Sequence, residues 1–407
     1  MTQTEDQERC ETNRPSDFRR HVFYLHGFDP RGAGIYHGHF RDGLDAASRR
    51  WSRKLAITET ETEALAAAAW TVTADDEASG GRVVTRYEML LWTDIVRRYW
   101  FPGQQLRLAL ESFRFAFTTW RLGILKRFRR PAWALYVAIL MTPALVVTAA
   151  LVAALAVFLT VRVVLALVAE LGAAQNVALA IAAGAAVIML WVLARGWRRL
   201  KAWLNIWWVT RFLGYLRGLA DGRFDRDEAR AQAFAERIFA IWRTGAVDEI
   251  LIVGHSLGAI FLVRAGARLL QRLPEGKRGP NIVLLALGHT VPLYTLLGGD
   301  EGFRQDLAAL ATSECVRFLD VTSGSDPGSS CRIPLIEGID LRGEPSRVIS
   351  REPDFHDSLE AETFRHIRMR PLDFHFQYLK PSERGAGFDY FELVTRPRPI
   401  ETSIAQP

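Results

Sequence analysis

What this chain lacks narrows it quickly. Cysteine is scarce: Cys10, Cys315 and Cys331 are the three in 407 residues. The odd number and wide spacing exclude a disulfide framework and a cysteine zinc site, and point to reduced thiols in a reducing compartment. There is no pair of histidines at metal-binding helical spacing, no P-loop and no dinucleotide fingerprint, so no metal and no cofactor is expected. Residues 1–17 are polar and acidic and lack the basic-then-apolar order of a cleavable signal peptide. They read as a disordered start, and residues 396–407 read as a similar tail.

The most consequential absence is of charge. Ala132 to Val161 carries no charged residue, with Thr142, Thr148 and Thr160 as its main polar interruptions and Pro143 as a possible kink. Ala173 to Ala194 is a second uncharged run. A spanning helix needs about 20 apolar residues, so both runs suffice, with Leu171-Gly172 as the break between them. Soluble core helices rarely run so long without a charge. Transmembrane helices at about 132–161 and 173–194 are therefore expected, with Arg162 and Glu170 beyond the first.

Where charge does occur, it is placed tellingly. Lys and Arg total 51 against 45 Asp and Glu, a net +6. Lys126, Arg127, Arg129 and Arg130 precede the first apolar run, and Arg195, Arg198, Arg199 and Lys201 follow the second. Basic flanks of this kind mark a membrane surface rather than nucleic acid, for which no recognition motif is present. Both outer flanks are basic while the connector carries one Arg and one Glu. The positive-inside rule then puts everything but the connector in the cytoplasm. Two aromatic-and-basic stretches, Leu106 to Phe128 and Trp197 to Leu216, have the composition of interfacial helices, though core aromatics of a soluble helix look alike.

The remaining sequence alternates strands and helices. Strands are expected at 21–25, 69–73, 83–92, 249–253, 281–287 and 316–320, with Gly80-Gly81 as a turn. Helices are expected at 38–53, 225–243, 259–273 and 302–311. This pattern is that of an α/β domain with a mostly parallel sheet. The domain is discontinuous: 18–95 supplies its first part, 224–395 its second, and 96–223 is a helical membrane insertion.

One stretch carries chemistry. Gly254-His255-Ser256-Leu257-Gly258 follows the apolar run 249–253 and precedes the helix-like Ala259 to Leu273. Strand, sharp turn and helix with a serine at the apex form a nucleophile elbow. The strained turn lifts the hydroxyl clear of the sheet, and the close approach of neighbouring backbone leaves room only for glycine at 254 and 258. A serine nucleophile needs a base in reach and an acid to orient it, following in the order acid then histidine. Asp326, in the Gly/Ser loop after strand 316–320, is the first choice of acid, with Asp320 second and Asp340 third. An Asp-Pro pair also simply starts turns. His375, within Asp373-Phe374-His375-Phe376-Gln377-Tyr378-Leu379, is the first choice of base, with His356 its rival and His366 on a charged helix. A histidine between aromatics is also often structural. His255 is not expected to be the base, because the turn directs it away from the serine. The backbone N–H groups of Leu257 and Phe28, the latter in the turn Leu25-His26-Gly27-Phe28, are the expected oxyanion donors.

On these residues the chain resembles the α/β-hydrolase superfamily, in its lipase and esterase branch. The likeness lies in the His26-Gly27-Phe28 turn, the elbow 254–258, the Ser325-Asp326-Pro327 loop and the His375 segment, and covers the two soluble parts. It is also similar to bacterial membrane-associated hydrolases, which implies the bacterial inner membrane. The family implies Ser256 as nucleophile, Asp326 as acid and His375 as base, but does not settle the substrate; the ordered candidates beside a membrane hairpin lead to the expectation of an ester, a lipid or another acyl compound. The membrane hairpin departs from the common pattern. Two other classes compete: a scaffold that keeps the fold without the chemistry, discriminated by the distance from Ser256 to His375, and a membrane structural or transport component. The hairpin has no paired intramembrane charges to mark an ion path.

Overall fold

The computed structural model describes residues 17–51, 54–63, 67–76, 81–100, 104–204, 206–223, 225–274, 276, 279–368, 370–385 and 387–400. Residues 1–16 with Cys10, Gly80 in the expected turn, the end of the expected helix 38–53, and the tail from 401 lie outside them.

The chain divides into two compact units, one of residues 1–102, 120–136 and 215–407, the other of 103–119 and 137–214. The first is α/β. It opens with β1 (Phe18–Leu25), α1 (Ala33–Trp51), β2 (Lys54–Ile57), β3 (Glu61–Glu63), β4 (Ala67–Asp76), β5 (Gly81–Leu90) and α2 (Thr93–Arg98). Helices α3 (Gln105–Arg121), α4 (Ile124–Phe128), α5 (Trp133–Glu170), α6 (Gln175–Trp203) and α7 (Ile206–Ala220) follow. The chain then runs through α8 (Asp225–Thr244), β6 (Glu249–His255), α9 (Gly258–Leu270), β7 (Asn281–Leu287), α10 (Val291–Leu296), α11 (Glu301–Thr312), β8 (Arg317–Val321) and β9 (Ile349–Arg351). Short helices α12 (Phe355–Ser358), α13 (Ala361–Arg368), α14 (Pro371–His375) and α15 (Tyr390–Thr395) close it.

The strands form one sheet in the order β2-β4-β5-β1-β6-β7-β8-β9, with β3 beside β4. From β5 to β9 every pairing is parallel, whereas β2, β3 and β5 each pair with β4 antiparallel. The central strands are apolar runs because both faces are covered: every residue of β6 is buried. In β4 the side chains alternate, with Trp70, Val72 and Ala74 buried and Thr71 and Thr73 partly exposed.

One sequence expectation needs correction. The tail expected to be loose from Arg396 is docked as far as Ile400. The buried Arg20 guanidinium donates to the carbonyls of Arg396 (3.1 Å) and Arg398 (2.7 Å), and the Ile400 amide donates to Glu249 (2.9 Å). Arg20 also donates to Glu249 at 2.7 Å, so the tail completes the bonding of a buried ion pair. Helix α5 continues past the uncharged run through Arg162 to Glu170 and ends at the Leu171-Gly172 break that the sequence suggests.

In the other unit, α5 and α6 are long and apolar enough to cross a membrane. At 1.5 Å per residue, the 38-residue α5 is about 57 Å long, well beyond a hydrocarbon core of about 30 Å. Leu151, Leu155 and Phe158 on α5 and Val187, Ile188 and Trp191 on α6 are exposed. Pro143 sits within α5, and the chain turns at Leu171-Gly172, where Gly172 adopts φ +67°. The stretch 106–128 is two helices rather than one, broken at Gly123 (φ +73°).

Candidate active site

Chain order moves outward from β1 on both sides, to β5 on one and β6 on the other, and such a switch point opens a crevice at the carboxyl ends of the strands. Leu25 pairs with Gly254 in register, so the 26–29 turn and the 256–257 turn leave the sheet side by side.

Ser256 sits at φ +56°, left-handed backbone that a non-glycine residue rarely adopts. Its N–H donates to the Leu287 carbonyl at 2.9 Å, which ties the strained turn to β7. The flanking glycines are dictated by contact. A Cβ at Gly258 would lie 2.2 Å from the Leu25 carbonyl oxygen, and one at Gly254 would lie 2.8 Å from the Ala259 Cα. Helix α9 begins two residues after the serine, so its positive N-terminal end faces charge developing there.

The neighbouring turn is built on His26. Its Nδ1–H donates to the Gly27 carbonyl (2.7 Å), and its Nε2 accepts from the Thr93 hydroxyl (3.2 Å). The Trp92 indole N–H donates to the His26 carbonyl at 2.8 Å, and the two rings stack at 5.2 Å. Burial lowers the His26 pKa to about 4, so the ring is neutral and its two nitrogens keep distinct roles. Gly27 crosses so close to the serine that a Cβ there would meet Ser256 Cβ at 3.0 Å. Among the described residues neither the Phe28 nor the Leu257 amide takes part in a hydrogen bond.

Asp326 and His375 come together. His375 Nδ1 is 3.0 Å from each carboxylate oxygen of Asp326. Asp326 is 1% exposed and His375 9% exposed. Asp326 also accepts from the Gly328 amide at 2.7 Å, which fixes the carboxylate. The carboxylate holds the proton on Nδ1 and leaves Nε2 as the basic nitrogen. The Ser256 hydroxyl has no hydrogen-bond partner among the described residues. Its chain neighbour His255 does reach His375: the two rings lie 4.7 Å apart, and His255 Nε2–H donates to the His375 carbonyl at 2.8 Å.

The competing candidates lie elsewhere. Asp320 accepts from His289 Nε2 (2.7 Å) and the Ser350 hydroxyl (3.0 Å), a separate buried cluster. Asp340 is exposed and accepts from the Arg342 amide in its own turn. His356 is exposed beside Asp357, and His366 is exposed on α13. Sequence reasoning missed Trp92 and Thr93, which hold the His26 turn. It missed Gly328, over which the His375 ring lies so closely that a Cβ would meet Nδ1 at 2.5 Å. It also set His255 aside as merely not the base. Burial, and next the charge of His375, drive the His255 pKa well below its usual value, so it serves as a neutral prop. No three His, Cys, Asp or Glu side chains converge as metal ligands among the described residues.

Comparison of the chain with family models, with curated proteins and with solved structures gives no match. The functional reading therefore stands on the geometry.

Proposed function

We propose that this chain is a membrane-anchored serine hydrolase of the α/β-hydrolase fold that cleaves an ester, a lipid or another acyl compound. One observation carries the reading: a buried Asp326–His375 pair faces the same carboxyl edge of a parallel sheet as Ser256, which is held in left-handed backbone. In the reaction Ser256 Oγ attacks the acyl carbon as His375 Nε2 takes its proton. The oxyanion is received by the Phe28 and Leu257 amides, and the helix behind Leu257 favours that charge. His375 then gives the proton to the leaving alcohol, and a water activated by the same nitrogen releases the acid. The purified full chain in phospholipid vesicles, offered 4-nitrophenyl butyrate and a diacylglycerol, tests this. Turnover of either that falls at least about a thousandfold in Ser256→Ala supports it, and no turnover of either contradicts it.

A scaffold that keeps the architecture without the chemistry is the second reading. The unpartnered Ser256 hydroxyl favours it, although hydrogen bonds of this kind often tighten only when substrate binds.

The anchor is the α5–α6 pair, placed in a bacterial inner membrane with the hydrolase unit on the cytoplasmic side. Lys126 to Arg130 before α5 and Arg195 to Lys201 on α6 are the positive flanks that support this orientation. In a chain freed of its native cysteines, Ala173→Cys should react with an impermeant maleimide from outside the cell and Arg129→Cys should not. The opposite pattern overturns the orientation.

A further inference from the structure

The two aromatic-and-basic stretches of the sequence part company in the structure. Every residue of α7, where the second stretch ends, is buried or half-buried, so no apolar face of that helix stands open. Helix α3, from the first stretch, differs. Its Ser112, Phe115 and Thr119 are buried, and the two hydroxyls are satisfied within the helix by the Ala109 and Phe115 carbonyls. Yet Leu106 (76%), Leu110, Phe113, Phe117 and Trp120 (66%) are exposed. These five are spaced four and three residues apart in turn. At about 100° and 1.5 Å per residue they fall within about 80° of the helix circumference and run for about 21 Å, opposite Phe115.

Basic side chains border this stripe on one side. Arg107, Arg114 and Arg121 are all exposed and lie seven residues apart, which stacks them along one edge. Glu111 is the one acid between residues 105 and 130, against seven Arg and Lys, and it pairs with Arg114 at 3.2 Å. A helix that faces water turns polar residues outward. This one turns leucines and aromatic rings outward and keeps its hydroxyls inside.

We propose that α3 lies along the surface of an anionic lipid leaflet, with the Leu106-to-Trp120 stripe set among the upper acyl chains and the arginine row on the headgroup phosphates. Charge complementarity favours lipid as the occupant. When the stripe faces the acyl chains, the arginine row flanking it stands at headgroup height. Continuity favours it too, since α3 leads through α4 into α5, the first helix of the proposed anchor. The inference is independent of the ester chemistry and rests on the anchor reading alone. It adds a preference for anionic lipid to what the two apolar helices supply.

The test uses the full chain, freed of its native cysteines and labelled with an NBD fluorophore at one introduced cysteine. The chain is placed in vesicles of equimolar phosphatidylcholine and phosphatidylglycerol. Some vesicles carry a lipid nitroxide near the headgroup, others one near the end of the acyl chain. Leu110→Cys and Phe113→Cys report on the stripe, and Leu151→Cys on the anchor; all three positions are exposed, so the label leaves the fold intact. Label on the stripe should be quenched at least about twofold more by the shallow nitroxide than by the deep one, and label at position 151 the reverse. Arg107→Gln, Arg114→Gln and Arg121→Gln combined should reduce the shallow quenching at position 113 at least about twofold, and so should vesicles of phosphatidylcholine alone. Deep quenching at 151 with none at 110 or 113, whether water or a second copy covers the stripe, overturns the inference and leaves the anchor standing. Quenching at 110 and 113 as deep as at 151 does the same, because α3 would then cross the bilayer. Shallow quenching indifferent both to the three arginines and to phosphatidylglycerol overturns the assignment of anionic lipid. No quenching at any of the three positions overturns the anchor and this inference together.

Discussion

His375 directs Nδ1 at both carboxylate oxygens of Asp326, 3.0 Å from each, while a second buried pair, His289 and Asp320, closes at 2.7 Å with no part in that contact. Two buried His–Asp pairs thus lie near the carboxyl ends of β7 and β8, and the ring of His375 lies 4.7 Å from that of His255, the residue before the serine.

The two acids should respond differently to the same change. Asp326→Asn should lower kcat about ten-thousandfold while the protein stays folded, since it disturbs the tautomer and orientation of His375. Asp320→Asn should leave kcat within about threefold and cost about 1–3 kcal/mol of stability, because it weakens the His289 and Ser350 bonds in the interior. Kinetics and thermal melting of the two variants side by side check this. Equal kinetic damage would contradict the assignment of the acid.

The turn tolerates no side chain at Gly258. In Gly258→Ala the new methyl would meet a backbone carbonyl, which cannot swing aside as a flexible side chain can. The expected cost is about 3 kcal/mol or more, together with loss of activity. Exposed Gly34, whose Cβ would meet nothing within 4 Å, is the control. Gly34→Ala should be neutral or slightly stabilising. Melting temperatures of the pair decide the matter.

Stability should fall in mild acid through His26. Its folded pKa, about 4, lies below the ordinary 6.5, so between those values the unfolded chain binds the extra proton. The stabilisation is complete above pH 6.5 and is lost as pH falls toward 4, by about 3 kcal/mol in all. Asp389, raised from 3.8 to about 6 by burial, acts in the opposite sense over part of that range. The difference between wild type and His26→Asn isolates the histidine, because Asp389 is common to both. Denaturant unfolding at several pH values should give wild type the steeper slope.

Sequence alone carried the central strands and the serine turn. β6 is buried on both faces and therefore reads as an unbroken apolar run, and the glycines at 254 and 258 mark backbone crossing that only the elbow demands. Chain order suggested Asp326 and His375 but could not separate Asp326 from Asp320. Asp320 still lies within β8, and the histidine it faces, His289, comes from the end of another strand. The docking of 396–400 on Arg20 joins residues 376 and 378 positions apart, which no local pattern reveals. The end of α5 was legible in Leu171-Gly172, where the chain turns. A helix already formed carries Arg162 and Glu170 without losing a backbone hydrogen bond. The propping of His375 by His255 is a tertiary contact with no sequence signature.

The central claim is that Ser256 is an activated nucleophile. A fluorophosphonate probe, which reacts with such serines, tests it on membranes expressing the full chain. The account predicts labelling of wild type, none of Ser256→Ala, and strongly slowed labelling of His375→Ala. Wild type that is folded and membrane-bound yet unlabelled, or labelling that survives Ser256→Ala, would contradict it.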